Sequence, residues 1–130
     1  MNVAVLGASN KPERYSYQAV KLLADKGHVV FPIHLSLAEI DGRPVFKRLT
    51  DVPAPIHTIT VYLGPERSGP LAEDMLALRP QRVIFNPGAE NQDLAQRLHA
   101  ADIETMNACT LVLLKTGQFE TPETFKDARR

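Results

Sequence analysis

The chain opens with a short apolar run, Asn2–Leu6 (N-V-A-V-L), that ends at Gly7. A run of this length without polar alternation predicts a strand buried on both faces, as in a parallel sheet. Gly7-Ala8-Ser9-Asn10-Lys11-Pro12 follows as a dense group of turn residues. The period then changes. From Ser16 onward Ala19, Val20, Leu22, Leu23 and Ala24 mark one helical face, with Gln18, Lys21, Asp25 and Lys26 on the other. Gly27 stands where a helix ends in a left-handed residue, and His28–Ile33 (H-V-V-F-P-I) is a second apolar strand. Strand, turn, helix, glycine and strand in this order make one βαβ unit.

The stretch from His34 to Pro55 is less regular. Asp41-Gly42 predicts a turn, Pro44, Pro53 and Pro55 exclude a long helix, and Leu49–Val52 fits one helical turn. Ile56–Leu63 (I-H-T-I-T-V-Y-L) is a β-branched third strand, closed by Gly64-Pro65. Ser68 is read as an N-cap and Pro70 as an early residue of a helix over Leu71–Leu78, with Pro80 beyond its end. Arg82–Phe85 is the fourth strand, cut by Asn86-Pro87-Gly88. A helix opens at Asn91 or Gln92 and runs to Ala100, with Leu94, Ala95 and Leu98 inward. Ile103–Met106 is a short fifth strand, and Ala108–Leu114 is read as a helix after a loop at Asn107. The expected fold is therefore α/β: a Rossmann-like open parallel five-stranded sheet with helices on both faces. Right-handed crossovers favour the strand order 3-2-1-4-5. Residues 1–119 make up one domain, and 120–130 form a polar C-terminal tail.

Composition narrows the partners. At 130 residues and 44% hydrophobic content the chain matches one domain with a packed core. Fifteen Lys+Arg balance fifteen Asp+Glu. That excludes the strongly basic surface that sequence-independent nucleic-acid binding needs. A single cysteine cannot form an internal disulfide or a cysteine-rich zinc site. No apolar stretch approaches the roughly 20 residues that span a bilayer, and no cationic leader precedes the first strand, so no membrane partner and a cytoplasmic location are expected.

In a doubly wound sheet, ligands bind beyond the carboxyl ends of the strands. The loops there are 7–15, 34–36, 64–68, 86–91 and 107–110, the segments richest in Gly, Asn, Ser and Pro. In the first, Gly7 permits a tight turn, and the small Ala8 and Ser9 let a phosphate approach the backbone. A helix N-terminus follows, with Lys11 and Arg14 beside it, so the loop predicts an anion site. The dinucleotide fingerprint Gly-x-Gly-x-x-Gly is absent, because Ser9 and Pro12 stand at its second and third glycines. An acidic residue for the ribose of NAD is also missing after the second strand, where His34-Leu35-Ser36 stands. NADP asks for a cation near His34; Arg43 is the nearest in sequence, and NADP stays open as an alternative.

Catalytic signals are sparse. No Walker loop, Gly-x-Ser-x-Gly elbow or metal-spaced histidine pair occurs, so no catalytic or metal-binding residue is assigned. His28, His57 and His99 are read as surface or packing residues, whereas His34 ends the second strand at the ligand edge. Tyr15 or Tyr17 is placed to cover a ligand, Glu90 is the one carboxylate inside an edge loop, and Cys109 lies at that edge before an apolar segment.

Val5-Leu6-Gly7-Ala8-Ser9 with Lys11-Pro12-Glu13-Arg14-Tyr15-Ser16 resembles the opening motif of the small bacterial CoA-binding domain proteins. These are relatives of the domain that begins the succinyl-CoA synthetase alpha subunit. Thr60–Pro65, Phe85–Asn91 and Glu104–Leu111 resemble later blocks of the same family, so the likeness covers about residues 1–119. The resemblance implies that Gly7, Ala8, Ser9, Asn10 and Arg14 hold the phosphates of coenzyme A. It implies that the loop at His34 lies beside the adenosine end. The loop after Tyr62, with Gly64, and the loop carrying Asn86, Pro87, Gly88 and Asn91 would line the pantetheine arm. Relatives carry Asn-Pro or Ser-Pro after the second strand, where this chain has Pro32-Ile33-His34. The leading reading is a binding or regulatory module for CoA or an acyl-CoA, without chemistry of its own. One alternative is a small acyl-CoA- or NADP-dependent enzyme using Cys109, Glu90 or His34. Another is an interaction subunit that docks through Ala108–Leu114, its nucleotide site vestigial. The two edges of an open sheet leave room for a homo-oligomer.

Overall fold

The computed structural model of the chain describes residues 1–120. Four short, largely buried runs and a more polar fifth at the edge align side by side as one parallel sheet. They are β1 (Asn2–Leu6), β2 (Val29–Ile33), β5 (Thr58–Val61), β6 (Arg82–Phe85) and β7 (Glu104–Asn107). Between β2 and β5 a small antiparallel hairpin, β3 (Glu39–Ile40) and β4 (Arg43–Pro44), turns at Asp41-Gly42. Both turn residues have positive φ, as a tight two-residue hairpin requires.

The sheet order is β2-β1-β5-β6-β7, every neighbour parallel, and it is the expected Rossmann-like arrangement. The outer place beside β2 is filled, but not by the run Ile56–Leu63 assigned to it from sequence. One parallel bridge joins Ile33 to Phe46 there, so the Phe46 segment is a rudimentary third strand. Thr58–Val61 lies on the other side of β1. Counted this way the order is 3-2-1-4-5-6. Two physical features explain the exchange. Thr58–Val61 is buried at every residue, which suits an interior strand rather than an edge. The Phe46 N–H donates to the Pro32 carbonyl and the His34 N–H to the Phe46 carbonyl, each at 3.0 Å. The outward side of β2 therefore includes Pro32, which has no N–H with which to extend a ladder.

Side-chain alternation divides the core. Val3, Val5 and Ile84 face α1 (Tyr15–Asp25) and α5 (Thr110–Lys115), packing on Val20, Leu23, Leu113 and Leu114. Ala4, Leu6, Ile59, Val61, Val83 and Phe85 face α3 (Ala72–Leu78), α4 (Gln92–Ala100) and a 3-10 turn at Leu49–Asp51. Full burial of side chains of this size contributes roughly 1.5–3 kcal/mol each. Helix α2 (Pro65–Ser68) and a 3-10 turn (Gly69–Leu71) lead into α3. The helix thus begins at Pro65 rather than after Ser68, which closes α2 instead of capping its successor. Pro70 has no N–H for the ladder and divides the segment. Helix α5 starts two residues later than expected, and the proposed tail falls outside the described residues beyond Glu120.

At the amino-terminal edge, opposite the strand ends that matter for ligands, His28 is buried. Its Nδ1 accepts from the Met1 amino group at 3.2 Å, and its Nε2 lies 3.5 Å from Glu120 Oε1. Phe119 packs edge-on to the imidazole, with the Arg82 guanidinium over its ring. Burial lowers the His28 pKa, the Met1 amine acts in the same direction, and Glu120 opposes them.

Candidate functional site

Beside β1 the winding of the sheet reverses, so the loops after β1 and β5 part and leave a crevice. A cavity of about 500 Å³ opens there. Leu6 and Ile33, at the ends of β1 and β2, line it with Leu35, Leu49, Leu63 and Leu71. Gly7, His34, Ser36, Lys47, Arg48, Arg67 and Asp74 supply the polar part of the wall.

Gly7 is fixed by geometry. Its φ is +87°, and a Cβ there would stand 2.8 Å from Leu63 Cδ2 and 3.0 Å from Leu63 Cγ. The Gly7 and Ala8 amides both donate to the Ile33 carbonyl, at 3.3 and 3.2 Å, tying the turn to the end of β2. These two amides are therefore occupied. The amides of Ser9 and Asn10 have no partner among the described residues, while Ser9 Oγ accepts from the Lys11 amide at 3.1 Å. Arg14 occupies the N-cap of α1 without a side-chain cap, and no acidic residue lies in the first turn. The first-turn amides of α1 are left for an anion.

His34 Nδ1 accepts from the Ser36 and Leu37 amides, at 3.0 and 3.1 Å. Accepting at Nδ1 places the ring proton on Nε2, so the imidazole meets the cavity as a hydrogen-bond donor. Arg48 grips Asp74 with two bonds, Nε to Oδ2 at 3.3 Å and Nη2 to Oδ1 at 2.9 Å. The Asp74 carboxylate raises the Arg48 pKa further above its ordinary value.

The residues singled out from sequence fall into three groups. Gly7 and His34 line the cavity, with Ala8, Ser9 and Asn10 continuing the loop toward α1; Lys11, Arg14 and Tyr15 are exposed on that approach. Tyr62 and Cys109 lie on the other face of the sheet. Tyr62 alternates with Leu63, so when Leu63 enters the cavity Tyr62 packs with the α1–α5 core. Its phenol neighbours the Thr60 and Thr110 hydroxyls, but these bond each other at 2.7 Å and the phenol has no hydrogen bond among the described residues. Burial pushes the Tyr62 pKa well up; Cys109 adds to the rise, and Thr110 and Thr60 oppose it. Cys109 is half-buried at the N-cap position of α5.

The third group holds the scaffold. Asn86 is buried; its Nδ2 donates to Thr60 Oγ1 at 2.7 Å and to the Val61 carbonyl at 2.9 Å. Its Oδ1 accepts from the Thr110 amide at 2.8 Å, so the residue just after β6 caps α5 from a distance. Asn91 caps α4 through the Leu94 amide and donates to Ser68 Oγ at 3.1 Å. Pro87 and Gly88 are exposed, with the Gly88 amide donating to Glu90 Oε1 at 2.9 Å. Gly64 precedes α2, and a Cβ there would stand 2.9 Å from Glu66 Oε1.

Lys47, Arg48, Leu49, Leu71 and Asp74 also line the cavity, although they come from the irregular segment before β5 and from beyond α2, outside the loops that follow the strands. The signal for Leu63 was present in the strand alternation. Lys47 and Arg48 carry no local signal, because they reach the cavity only through the long-range bridge between Phe46 and Ile33.

Fold and carboxyl-edge cavity together define a Rossmann-like α/β domain of the ligand-binding kind. The family model described as CoA binding domain matches residues 1–115, and the chain belongs to that family. The uncharacterized protein YneT of Bacillus subtilis (strain 168) is 26% identical over 96 residues, which are 74% of this chain and 71% of that protein. A crystal structure described only as an uncharacterized protein is 34% identical, with a TM-score of 0.82, covering 91% of this chain and 97% of that one. The dinucleotide-forming acetyl-coenzyme A synthetase 1 of Ca. Korarchaeum cryptofilum shares the fold. It is 20% identical, with a TM-score of 0.72, over 82% of this chain and 25% of the synthetase.

Proposed function

We propose that the protein binds coenzyme A or an acyl-CoA at the carboxyl edge of the sheet and performs no chemistry on it. The observation that carries the reading is the cavity at the winding reversal, continuous through Gly7 with a loop whose Ser9 and Asn10 amides are unengaged. The diphosphate rests on these amides and the first turn of α1, and the adenosine enters the leucine-lined cavity beside the His34 donor. The arm then runs past Gly64 toward the Asn86 loop. The rest of the site supports binding without turnover. Asp74 is held by Arg48 and Glu90 by the Gly88 amide, so neither carboxylate is paired with a nucleophile.

Thermal unfolding in the presence of CoA, acetyl-CoA, NAD or NADP tests this. A ligand at 100 times its dissociation constant adds about 2.7 kcal/mol, several degrees for a domain of this size. CoA and acetyl-CoA are expected to raise the Tm, with acetyl-CoA recovered intact after prolonged incubation. No shift with either would overturn the binding reading; steady thioester cleavage would overturn its non-catalytic part.

A further inference from the structure

The rim of the cavity carries more positive charge than its own carboxylate balances. Arg48 and Asp74 cancel through their paired bonds. Lys47 and Arg67 remain, and neither has an ion-pair partner among the described residues. They arrive from different sides: Lys47 follows Phe46 beside β2, and Arg67 belongs to α2 after β5. Leu49 and Leu63 complete the lining with them. Two like charges on the wall of one cavity repel, and an anion between them relieves that repulsion. It cannot be the anion of the first loop, because Ser9, Asn10 and the first turn of α1 lie outside the cavity wall.

The geometry points to a second anion subsite, formed by Lys47 and Arg67, that takes a phosphomonoester on the ribose of the bound nucleotide. The protein then distinguishes CoA, which carries a 3′-phosphate, from dephospho-CoA, which does not. This inference rests on the CoA-binding reading and adds a specificity to it. A phosphomonoester bears roughly −1.5 to −2 charges at neutral pH, enough for both cations. The Arg67 guanidinium offers a fork to two phosphate oxygens, and Lys47 adds a compact charge. Lys11 and Arg14, the cations conspicuous in the sequence, stand outside the cavity and do not contribute to this discrimination.

Calorimetric titration of CoA, dephospho-CoA and NADP into the wild type, Lys47→Gln, Arg67→Gln and the double variant tests the assignment. Both side chains are exposed, and an unchanged Tm without ligand verifies that the variants are folded. The wild type should bind CoA at least tenfold more tightly than dephospho-CoA. Each single variant should narrow that ratio at least threefold, and the double variant should bring it within twofold of one. Equal wild-type affinities, or a ratio unaltered in the double variant, would overturn the subsite while leaving the CoA-binding reading intact. Absence of binding by both CoA forms, or tighter binding of NADP than of CoA, would overturn the CoA reading and this assignment with it.

Discussion

Replacing Gly7 by alanine perturbs the turn on which the site depends, and the structure divides its cost into two parts. The first is backbone strain, since φ is +87° and an L-residue there loses about 1–2 kcal/mol. The second is steric, since the new Cβ would stand 2.8 Å from Leu63 Cδ2; overpacking of this kind costs about 1–3 kcal/mol. Gly27 isolates the first part. Its φ is +92°, and a Cβ there meets nothing within 4 Å. Both replacements reduce the freedom of the unfolded chain equally, so that contribution cancels between them. Gly27→Ala should lower stability by about 1 kcal/mol and the Tm by about 4 °C. Gly7→Ala has two ways to respond. If Leu63 stays in place, stability falls by about 2–4 kcal/mol, a large share of a total on the order of 5–15 kcal/mol. If Leu63 swings away, it moves into the cavity it lines, and CoA affinity falls at least tenfold with little further loss of Tm. Urea denaturation and CoA titration of the two variants separate these responses. A Gly7→Ala protein as stable as Gly27→Ala that also binds CoA like the wild type would refute the reasoning.

Other predictions follow from single groups. Asn86→Ala removes three buried hydrogen bonds and uncaps α5, and should cost about 2–4 kcal/mol in chemical denaturation; a loss below about 1 kcal/mol would argue against its scaffold role. Tyr62→Phe deletes a buried hydroxyl without a hydrogen bond, so stability should hold within about 1 kcal/mol or rise. The raised Tyr62 phenol should ionise only at pH well above the ordinary tyrosine range by ultraviolet absorbance, and Tyr62→Phe should abolish that step. The His28 pKa is lowered in the folded chain from 6.5, so the unfolded chain takes up the proton first as pH drops. Stability from this group is full above about pH 6.5 and declines below it until the folded-state value is passed. The Tm should therefore fall between about pH 7 and pH 5, with a shallower fall in His28→Gln; identical profiles would contradict the burial argument.

Much of the fold was legible because the interior strands are short apolar runs and turn residues such as Gly7, Gly64 and Asn86 follow them closely. The first βα unit is the clearest case, with Gly7 and Gly27 marking the two turns that the backbone makes at positive φ. What was not legible depended on long-range pairing. Nothing local shows that Phe46 bridges Ile33 and so takes the place beside β2. Lys47 and Arg48 are equally silent in the sequence, because they reach the cavity only where that bridge returns the segment to the sheet. The family resemblance implies a ligand contact at the loop after Tyr62, yet the two-residue period sends Leu63 to the cavity and Tyr62 to the opposite face. Asn86 and Asn91 stand in a loop of binding-site composition, but their bonds hold α5 and α4. Polar residues at a sheet edge serve capping and ligands with the same atoms, and the residue types alone do not separate the two uses.

The central claim is that CoA occupies the carboxyl edge between the first loop and the leucine-lined cavity. Amide and methyl NMR spectra recorded during CoA titration test it most directly. The account predicts that the largest shifts fall on the amides of Ser9, Asn10, Tyr15, Ser16 and Tyr17 and on the methyls of Leu49, Leu63 and Leu71. Shifts gathered instead around Cys109 and Val112 on the α5 side, with these positions unmoved, would contradict it.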